Sequence, residues 1–122
     1  MQLQGMRVLV VENDEMNATL LDLQLAQAGA AMVGPAASVA QALQMIEDQP
    51  DLAILDYHLG GGETSEEVAG ALIARGIPFV LATGVNADTL PHVFSRGVVL
   101  VKPYVTEELL GALSRAPGRL TA

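Results

Sequence analysis

The sequence predicts a doubly wound α/β domain, in which helices cover both faces of a five-stranded parallel sheet. Three observations predict it. Short apolar runs alternate with helix-like segments along the 122 residues. Four of the five runs are apolar at nearly every position, as expected of strands that are buried on both faces. The connections between the runs have helix length, which favours parallel neighbours.

The strand candidates are short runs rich in Val, Leu and Ile, bounded by turn or capping residues. They are residues 6–11, 31–34, 52–55, 79–82 and 98–101. The second run is the weakest candidate, and the fourth run follows Pro78. The length of the chain suits one domain and not two, so we expect a single domain over residues 1–122 with a core over about residues 6–114.

The helices are predicted from capping residues at their starts and from glycine or proline at their ends. They are expected at about residues 15–28, 38–48, 64–75, 88–95 and 106–114. In the first helix, one face would carry Met16, Leu20 and Leu23. Pro91 confines the start of the fourth helix. Pro117 and Gly118 predict that a tail over residues 115–122 frays.

Composition and charge exclude several classes of function. The net charge of −8 and the aromatic content of 3% argue against a nucleic-acid-binding surface, because such a surface needs clustered cations or stacking platforms. No apolar run approaches the roughly 18–20 residues of a membrane span, and the first residues do not resemble a secretory signal. Cysteine is absent, which excludes thiol chemistry. We therefore expect a cytoplasmic protein that binds neither nucleic acid nor membrane.

Polar residues follow four of the five predicted strands. They are Glu12, Asn13 and Asp14 after the first strand, Asp56 after the third, Thr83 after the fourth and Lys102 after the fifth. Taken singly, each is typical of an ordinary turn or helix start. However, ligands of doubly wound sheets bind beyond the carboxyl ends of the strands, and the only lysine of the chain is among these residues. The conjunction therefore indicates a functional site.

These residue types suit phosphoryl transfer with the help of a metal ion. Carboxylate and amide oxygens attract a hard cation such as Mg²⁺. A carboxylate can also attack phosphorus and form an aspartyl phosphate. A lysine ammonium and a threonine hydroxyl can bind phosphoryl oxygens.

Four segments resemble the signature of response-regulator receiver domains. They are VLVVE at residues 8–12, LAILD at 52–56, ATG at 82–84 and VKP at 101–103. The resemblance covers about residues 6–114, and it implies the flavodoxin-like strand order 2-1-3-4-5 with five helices. The stretches around Asp56 and Pro78 further resemble short, stand-alone regulators of alphaproteobacterial type.

The resemblance also implies a role for each site residue. Asp56 would be the phosphoacceptor, and Thr83 and Lys102 would bind the phosphoryl oxygens. The peptide bond between Lys102 and Pro103 is commonly cis in this family. One position of the family often carries an aromatic ring, which repacks when the threonine moves. Here that position is occupied by Val99. We therefore expect output through backbone rearrangement of the fourth and fifth units.

The implied Mg²⁺ ligands are Glu12 with its neighbour, Asp56 and the main-chain carbonyl of His58. The family usually has Asp at the position of Asn13, which offers an amide oxygen without charge. Two alternatives follow: either Mg²⁺ binding is weaker than usual, or Asp14 compensates.

The sequence thus predicts a response regulator in a histidine-to-aspartate phosphorelay. The donor would be a histidine kinase or a histidine phosphotransfer protein, and the output partner a downstream protein or a second copy. We do not expect an enzyme, beyond self-phosphorylation and self-dephosphorylation of Asp56. The alternative is a non-phosphorylated interaction module with the receiver fold. A flavin binder is disfavoured, because the chain lacks aromatic residues and a GxGxxG run.

Overall fold

The computed structural model describes residues 3–121, and its centre is one parallel sheet of five strands. Seven strands occur along the chain: β1 (Arg7–Val11), β2 (Ala31–Ala36), β3 (Leu52–Asp56), β4 (His58–Gly60), β5 (Glu63–Thr64), β6 (Phe79–Thr83) and β7 (Val98–Val101). The parallel sheet has the order β2-β1-β3-β6-β7, and β4 and β5 form a separate antiparallel hairpin. Since β6 and β7 are the fourth and fifth strands of the large sheet, the predicted 2-1-3-4-5 order is confirmed.

Four α-helices cover the two faces of the sheet. They are α1 (Glu15–Gln27), α2 (Val39–Ile46), α3 (Glu66–Ala74) and α4 (Thr106–Thr121). Alternate residues of β1 point to opposite faces of the sheet. Val8 and Val10 pack in the core layer under α1 and α4, whereas Leu9 and Val11 pack in the layer under α2 and α3. The doubly wound α/β class is therefore confirmed. Within residues 3–121, every helix is too short or too polar to cross a bilayer.

The expected fourth helix, over about residues 88–95, is not one continuous helix in the structure. Between β6 and β7 the structure has two short 3-10 helices, Ala87–Thr89 and His92–Arg96. Pro91 lies between them, and both Leu90 and Pro91 have extended backbone, with ψ near 150° and 147°. Because proline disfavours helical backbone at the preceding residue and lacks a backbone donor, one continuous helix does not form.

The expected fraying of residues 115–122 is wrong for the described part of that range. Helix α4 continues to Thr121, because Ala116 and Leu120 are buried against the core. Two arginines also fasten this end of the helix. Arg96 donates to the carbonyl of Leu120 at 2.7 Å, and Arg119 donates to the carbonyl of Ser95 at 2.8 Å.

Helix α1 has a second apolar face that points to solvent. Its core face is made by Ala18, Leu21 and Leu25, which are buried. The apolar residues that the sequence places together on one face, Met16, Leu20 and Leu23, are each 53–81% exposed. An exposed apolar stripe on a helix is typical of a surface that contacts another molecule.

Candidate functional site

The strand ends bring the predicted site residues to one edge of the sheet. Asp56 is the last residue of β3 and Thr83 the last residue of β6, and Glu12 and Lys102 directly follow β1 and β7. In the parallel register Asp56 lies opposite Ala82, and Thr83 lies opposite Val101. The carboxyl ends of the strands thus meet at this edge, where doubly wound domains bind ligands.

Asp56 and Lys102 form an ion pair at the centre of this edge. The Lys102 Nζ donates to the Asp56 Oδ1 at 3.2 Å, and the two side chains are 33% and 18% exposed respectively. The carboxylate is therefore reachable from solvent, while the ammonium holds it in place. The peptide bond between Lys102 and Pro103 is cis, as the sequence resemblance implies.

Glu12 adds a second, buried carboxyl group beside this pair. It is 5% exposed, and its Oε2 accepts a hydrogen bond from the Asp14 amide at 3.1 Å. Burial raises the pKa of the Glu12 carboxyl above its ordinary value, and the negative charge of Asp56 raises this pKa further. The hydrogen bond from the Asp14 amide and the positive charge of Lys102 both lower it, but they do not cancel the rise. Two carboxyl groups thus share one ammonium, which leaves an excess of negative charge at the edge.

Asp14 lies at the start of helix α1. Its side chain caps α1 and accepts a hydrogen bond from the Met16 amide at 3.2 Å. This bond holds the carboxylate of Asp14 at the start of the helix.

Asn13 and His58 lie at the hairpin that follows β3. The Asn13 Nδ2 is 2.9 Å from where a Cβ on Gly60 would stand, and Gly60 has a φ of 87°. The glycine therefore lets the hairpin approach Asn13 closely. The exposed His58 begins β4, and its ring meets that of Tyr57 edge-on, with the ring centroids 4.7 Å apart.

The residues present fit Mg²⁺, although they supply few charged ligands. Among residues 3–121 there is no cluster of three or more His, Asp or Glu side chains that could hold a metal ion. Mg²⁺, however, commonly binds through one or two carboxylates and keeps several waters. Glu12 and Asp56 provide two carboxylates with excess negative charge, which a divalent cation would neutralise.

Thr83 is buried, and its hydroxyl is engaged by the loop that follows β6. It is 2% exposed, and its Oγ1 accepts from the Val85 amide at 3.0 Å. Its main-chain carbonyl accepts from the Lys102 amide at 2.8 Å. Since a hydroxyl that accepts one bond can still donate another, this arrangement leaves Thr83 chemically able to bind an anion at the edge of the sheet.

Two residues that the sequence analysis did not place in the site line the same groove. The groove has a volume of about 470 Å³ and runs from Glu12 and Asp56 toward α1, past Tyr104 and Gln24. Burial raises the pKa of the Tyr104 hydroxyl, and the charges of Glu12 and then Asp56 raise it further. The position of Tyr104 two residues after Lys102 was the only sequence signal for it.

Gln24 is a buried polar residue in the wall of this groove. It is 8% exposed, and its Nε2 donates to the Thr106 hydroxyl at 2.8 Å. Its Oε1 has no hydrogen-bond partner within the described chain. Nothing in the sequence distinguishes Gln24 from Gln27, the exposed glutamine of the same helix.

Val99 occupies the position at which the resemblance would place an aromatic ring. Val99 is half-buried in β7. Elsewhere, three aromatic rings are in edge-on contact: Tyr57 with Phe94, and Phe94 with Phe79, with the ring centroids 5.7 and 6.4 Å apart. This row begins at Tyr57, next to Asp56, passes through Phe94 of the second 3-10 helix and ends at Phe79, the first residue of β6.

The fold is that of receiver domains, and comparison with known proteins agrees. The chain is 37% identical to SdrG from Sphingomonas melonis, with a TM-score of 0.78 and complete coverage of both chains. It is 26% identical to the signal receiver domain of a modulated diguanylate cyclase from Desulfovibrio desulfuricans, with a TM-score of 0.82, covering 97% of this chain and 98% of the other. No protein-family model and no curated protein sequence matches the chain.

A third solved structure includes a metal ion. It is the receiver domain of the sensor histidine kinase PA1611 from Pseudomonas aeruginosa, which has magnesium coordinated in its active-site cleft. That domain is 24% identical, with a TM-score of 0.77, and the match covers 93% of this chain and 98% of the other.

This chain belongs to the receiver domains of response regulators. Its class of function is therefore response regulation in two-component signalling. The similarity to an alphaproteobacterial protein over the whole chain confirms the resemblance to alphaproteobacterial regulators.

Proposed function

We propose that the protein is a phosphoacceptor in a histidine-to-aspartate phosphorelay and is phosphorylated on Asp56. The observation that supports this most is the pairing of Asp56 with Lys102 at 3.2 Å, beside the buried Glu12. A carboxylate that ends a central strand, is partly open to solvent and is flanked by an ammonium has the chemistry of a phosphoryl acceptor.

In the proposed reaction an oxygen of Asp56 forms a bond to phosphorus, and the bond between phosphorus and a nitrogen of the donor histidine breaks. The electron pair of that bond returns to the imidazole ring. The Lys102 ammonium then donates its hydrogen bond to a phosphoryl oxygen instead of the carboxylate, and the hydroxyl of Thr83 donates to another phosphoryl oxygen. The loop that holds Thr83 through Val85 adjusts to this contact.

We further propose that Mg²⁺ binds at Glu12 and Asp56, completed by the main-chain carbonyl of His58, the amide oxygen of Asn13 and water. The ion would supply positive charge that neutralises phosphoryl oxygens during transfer. Support comes from the raised pKa of the Glu12 carboxyl, which reflects burial and the nearby charge of Asp56. Asp14 would act on this site mainly through its amide, which donates to Glu12.

The donor would be a phosphohistidine on a histidine kinase or a histidine phosphotransfer protein, and we propose that it docks on the exposed apolar face of α1. That face carries Met16, Leu20 and Leu23, and the groove that holds Asp56 also includes Leu20. A donor on this face would thus lie beside the acceptor. Output would pass to a downstream protein or a second copy, through a population shift that phosphate favours.

Labelling with radioactive acetyl phosphate tests the acceptor. With Mg²⁺ present we expect acid-labile incorporation that Asp56→Asn abolishes. Asp22→Asn is the matched control, since it removes the same charge from an exposed position on α1 and should keep the label. Incorporation that persists in Asp56→Asn would refute Asp56 as acceptor. A wild-type protein without Mg²⁺-dependent labelling would instead favour the non-phosphorylated interaction module.

A further inference from the structure

The β4–β5 hairpin that follows Asp56 is fastened to the rest of the domain. Leu59, in the first strand of the hairpin, is 3% exposed and packs in the core layer under α2 and α3. The Ser65 amide donates to the carbonyl of Tyr57 at 2.9 Å and closes the base of the hairpin. The Glu63 Oε1 accepts a hydrogen bond at 3.2 Å from the amide that begins α2. Because a buried side chain and two hydrogen bonds restrain it, the hairpin forms a wall of fixed position.

Gly60 is the residue of this wall that meets Asn13. A Cβ at Gly60 would lie 2.9 Å from the Asn13 Nδ2 and 3.9 Å from its Cγ, whereas the amide oxygen lies beyond 4 Å of that position. The nitrogen end of the amide thus faces the hairpin, and the oxygen end does not. Within residues 3–121 the Asn13 side chain makes no hydrogen bond or ion pair, so packing against Gly60 restrains the amide without the help of a bond.

The two ends of an amide differ in what they can do for a cation. The oxygen has lone pairs that a hard cation binds, whereas the NH2 group has two donors and repels it. A carboxylate in the same place would have two oxygens and therefore no unsuitable end. With an amide at position 13, the affinity for a cation depends on which end of the amide is turned toward it.

We propose that Gly60 is a positioning residue that keeps the nitrogen of the Asn13 amide against the hairpin, so that the oxygen is the end offered to Mg²⁺. The missing Cβ leaves the space that the NH2 group occupies. A side chain at this position would overlap the nitrogen and force the amide to turn or to leave. The inference rests on the proposed Mg²⁺ site, and it adds to that site a residue that itself binds neither the ion nor phosphate.

Gly60→Ala and Gly62→Ala form a matched pair of variants. Both glycines have left-handed backbone, with φ of 87° and 81°, so an added side chain strains the hairpin to a similar extent at either position. A Cβ at Gly62, however, has no atom within 4 Å. A difference between the two variants therefore isolates the contact with Asn13 from the strain in the backbone.

NMR of the metal-free full chain tests the contact itself. We expect nuclear Overhauser effects between the side-chain NH2 of Asn13 and the α protons of residue 60 in the wild type and in Gly62→Ala, and their loss in Gly60→Ala. Their absence from the wild type would overturn the proposal, whether or not the protein binds Mg²⁺.

Calorimetric titration with magnesium chloride tests the consequence of the contact. Gly60→Ala should weaken Mg²⁺ binding by about three- to tenfold, whereas Gly62→Ala should change it by less than about twofold. In the Asn13→Asp background both ends of the side chain are oxygens. Adding Gly60→Ala to that background should therefore change the affinity by less than about twofold.

The possible failures can be told apart. Unchanged affinity in Gly60→Ala, or equal losses in Gly60→Ala and Gly62→Ala, would overturn the positioning role and leave the metal site standing. A loss in Gly60→Ala that persists in full in the Asn13→Asp background would do the same, because the orientation of an amide would then not be its cause. A wild-type protein that binds no Mg²⁺ would instead refute the metal site, and this proposal with it.

Discussion

Gly97→Ala should destabilise the protein through a single buried contact. Gly97 directly precedes β7, and a Cβ at this position would lie 2.3, 2.6 and 2.8 Å from three carbon atoms of the Phe79 ring. Carbon atoms in contact are about 3.5–4.0 Å apart, so the ring or the strand must move by about 1 Å or more. Phe79 has no exposed surface, and its ring meets that of Phe94 edge-on, which leaves little space for it to move into.

Overpacking of this kind costs about 1–3 kcal/mol, which for a domain of this size lowers the melting temperature by roughly 3–15 °C. The assay is urea and thermal unfolding followed by circular dichroism. Gly70→Ala is the matched control: it lies on an exposed face of α3, and a Cβ there has no atom within 4 Å. We expect that change to stabilise the protein by about 0.5–1 kcal/mol. The reasoning fails if Gly97→Ala is as stable as the wild type while Gly70→Ala behaves as expected.

Three further predictions concern the site and the end of the chain. Asn13→Asp adds a carboxylate beside the proposed metal site and should tighten Mg²⁺ binding by about three- to tenfold in a calorimetric titration. The Glu12 carboxyl binds its proton more tightly in the folded than in the unfolded state, because folding raises its pKa above the ordinary value of 4.5. In metal-free buffer the stability of the wild type should therefore fall as the pH rises above 4.5. Glu12→Gln should lack that part of the decrease. Arg119→Gln removes the bonds to the carbonyls of Ser95 and Gly97 and should speed hydrogen exchange of the amides in residues 115–121.

Each of these has a contradicting result. Unchanged Mg²⁺ affinity in Asn13→Asp would mean that position 13 is not a ligand. If stability depends on pH identically in Glu12→Gln and the wild type, the Glu12 carboxyl is not the group that causes the decrease. Equal exchange rates in Arg119→Gln and in the exposed control Arg115→Gln would show that burial alone holds the end of α4.

Most of the sheet and the centre of the site could be predicted from the sequence, because both follow from burial. A strand that is covered on both faces must be apolar throughout, so β1, β3 and β6 stand out. The polar residue that ends such a run then lies at the sheet edge, which is how Asp56 and Lys102 are found before any coordinates.

The remaining differences arise where local patterns allow more than one outcome. Helix α1 has apolar residues at helical spacing on two faces, and periodicity alone does not say whether Leu20 or Leu21 meets the core. The β4–β5 hairpin is short, and its glycines indicate a loop more than a strand. The ordered end of α4 depends on contacts from Arg96 and Arg119 to distant carbonyls, which no local pattern encodes.

The 3-10 segment between β6 and β7 combines one buried anchor residue with residues that are exposed to solvent. Phe94 anchors it in the core through contacts with Tyr57 and Phe79, while its exposed residues, such as Asp88 and His92, carry little of the packing. Substitutions there can therefore accumulate at small cost in folding free energy and without touching Asp56. We therefore expect relatives that keep the proposed acceptor Asp56 to differ more in this segment than at the edge of the sheet.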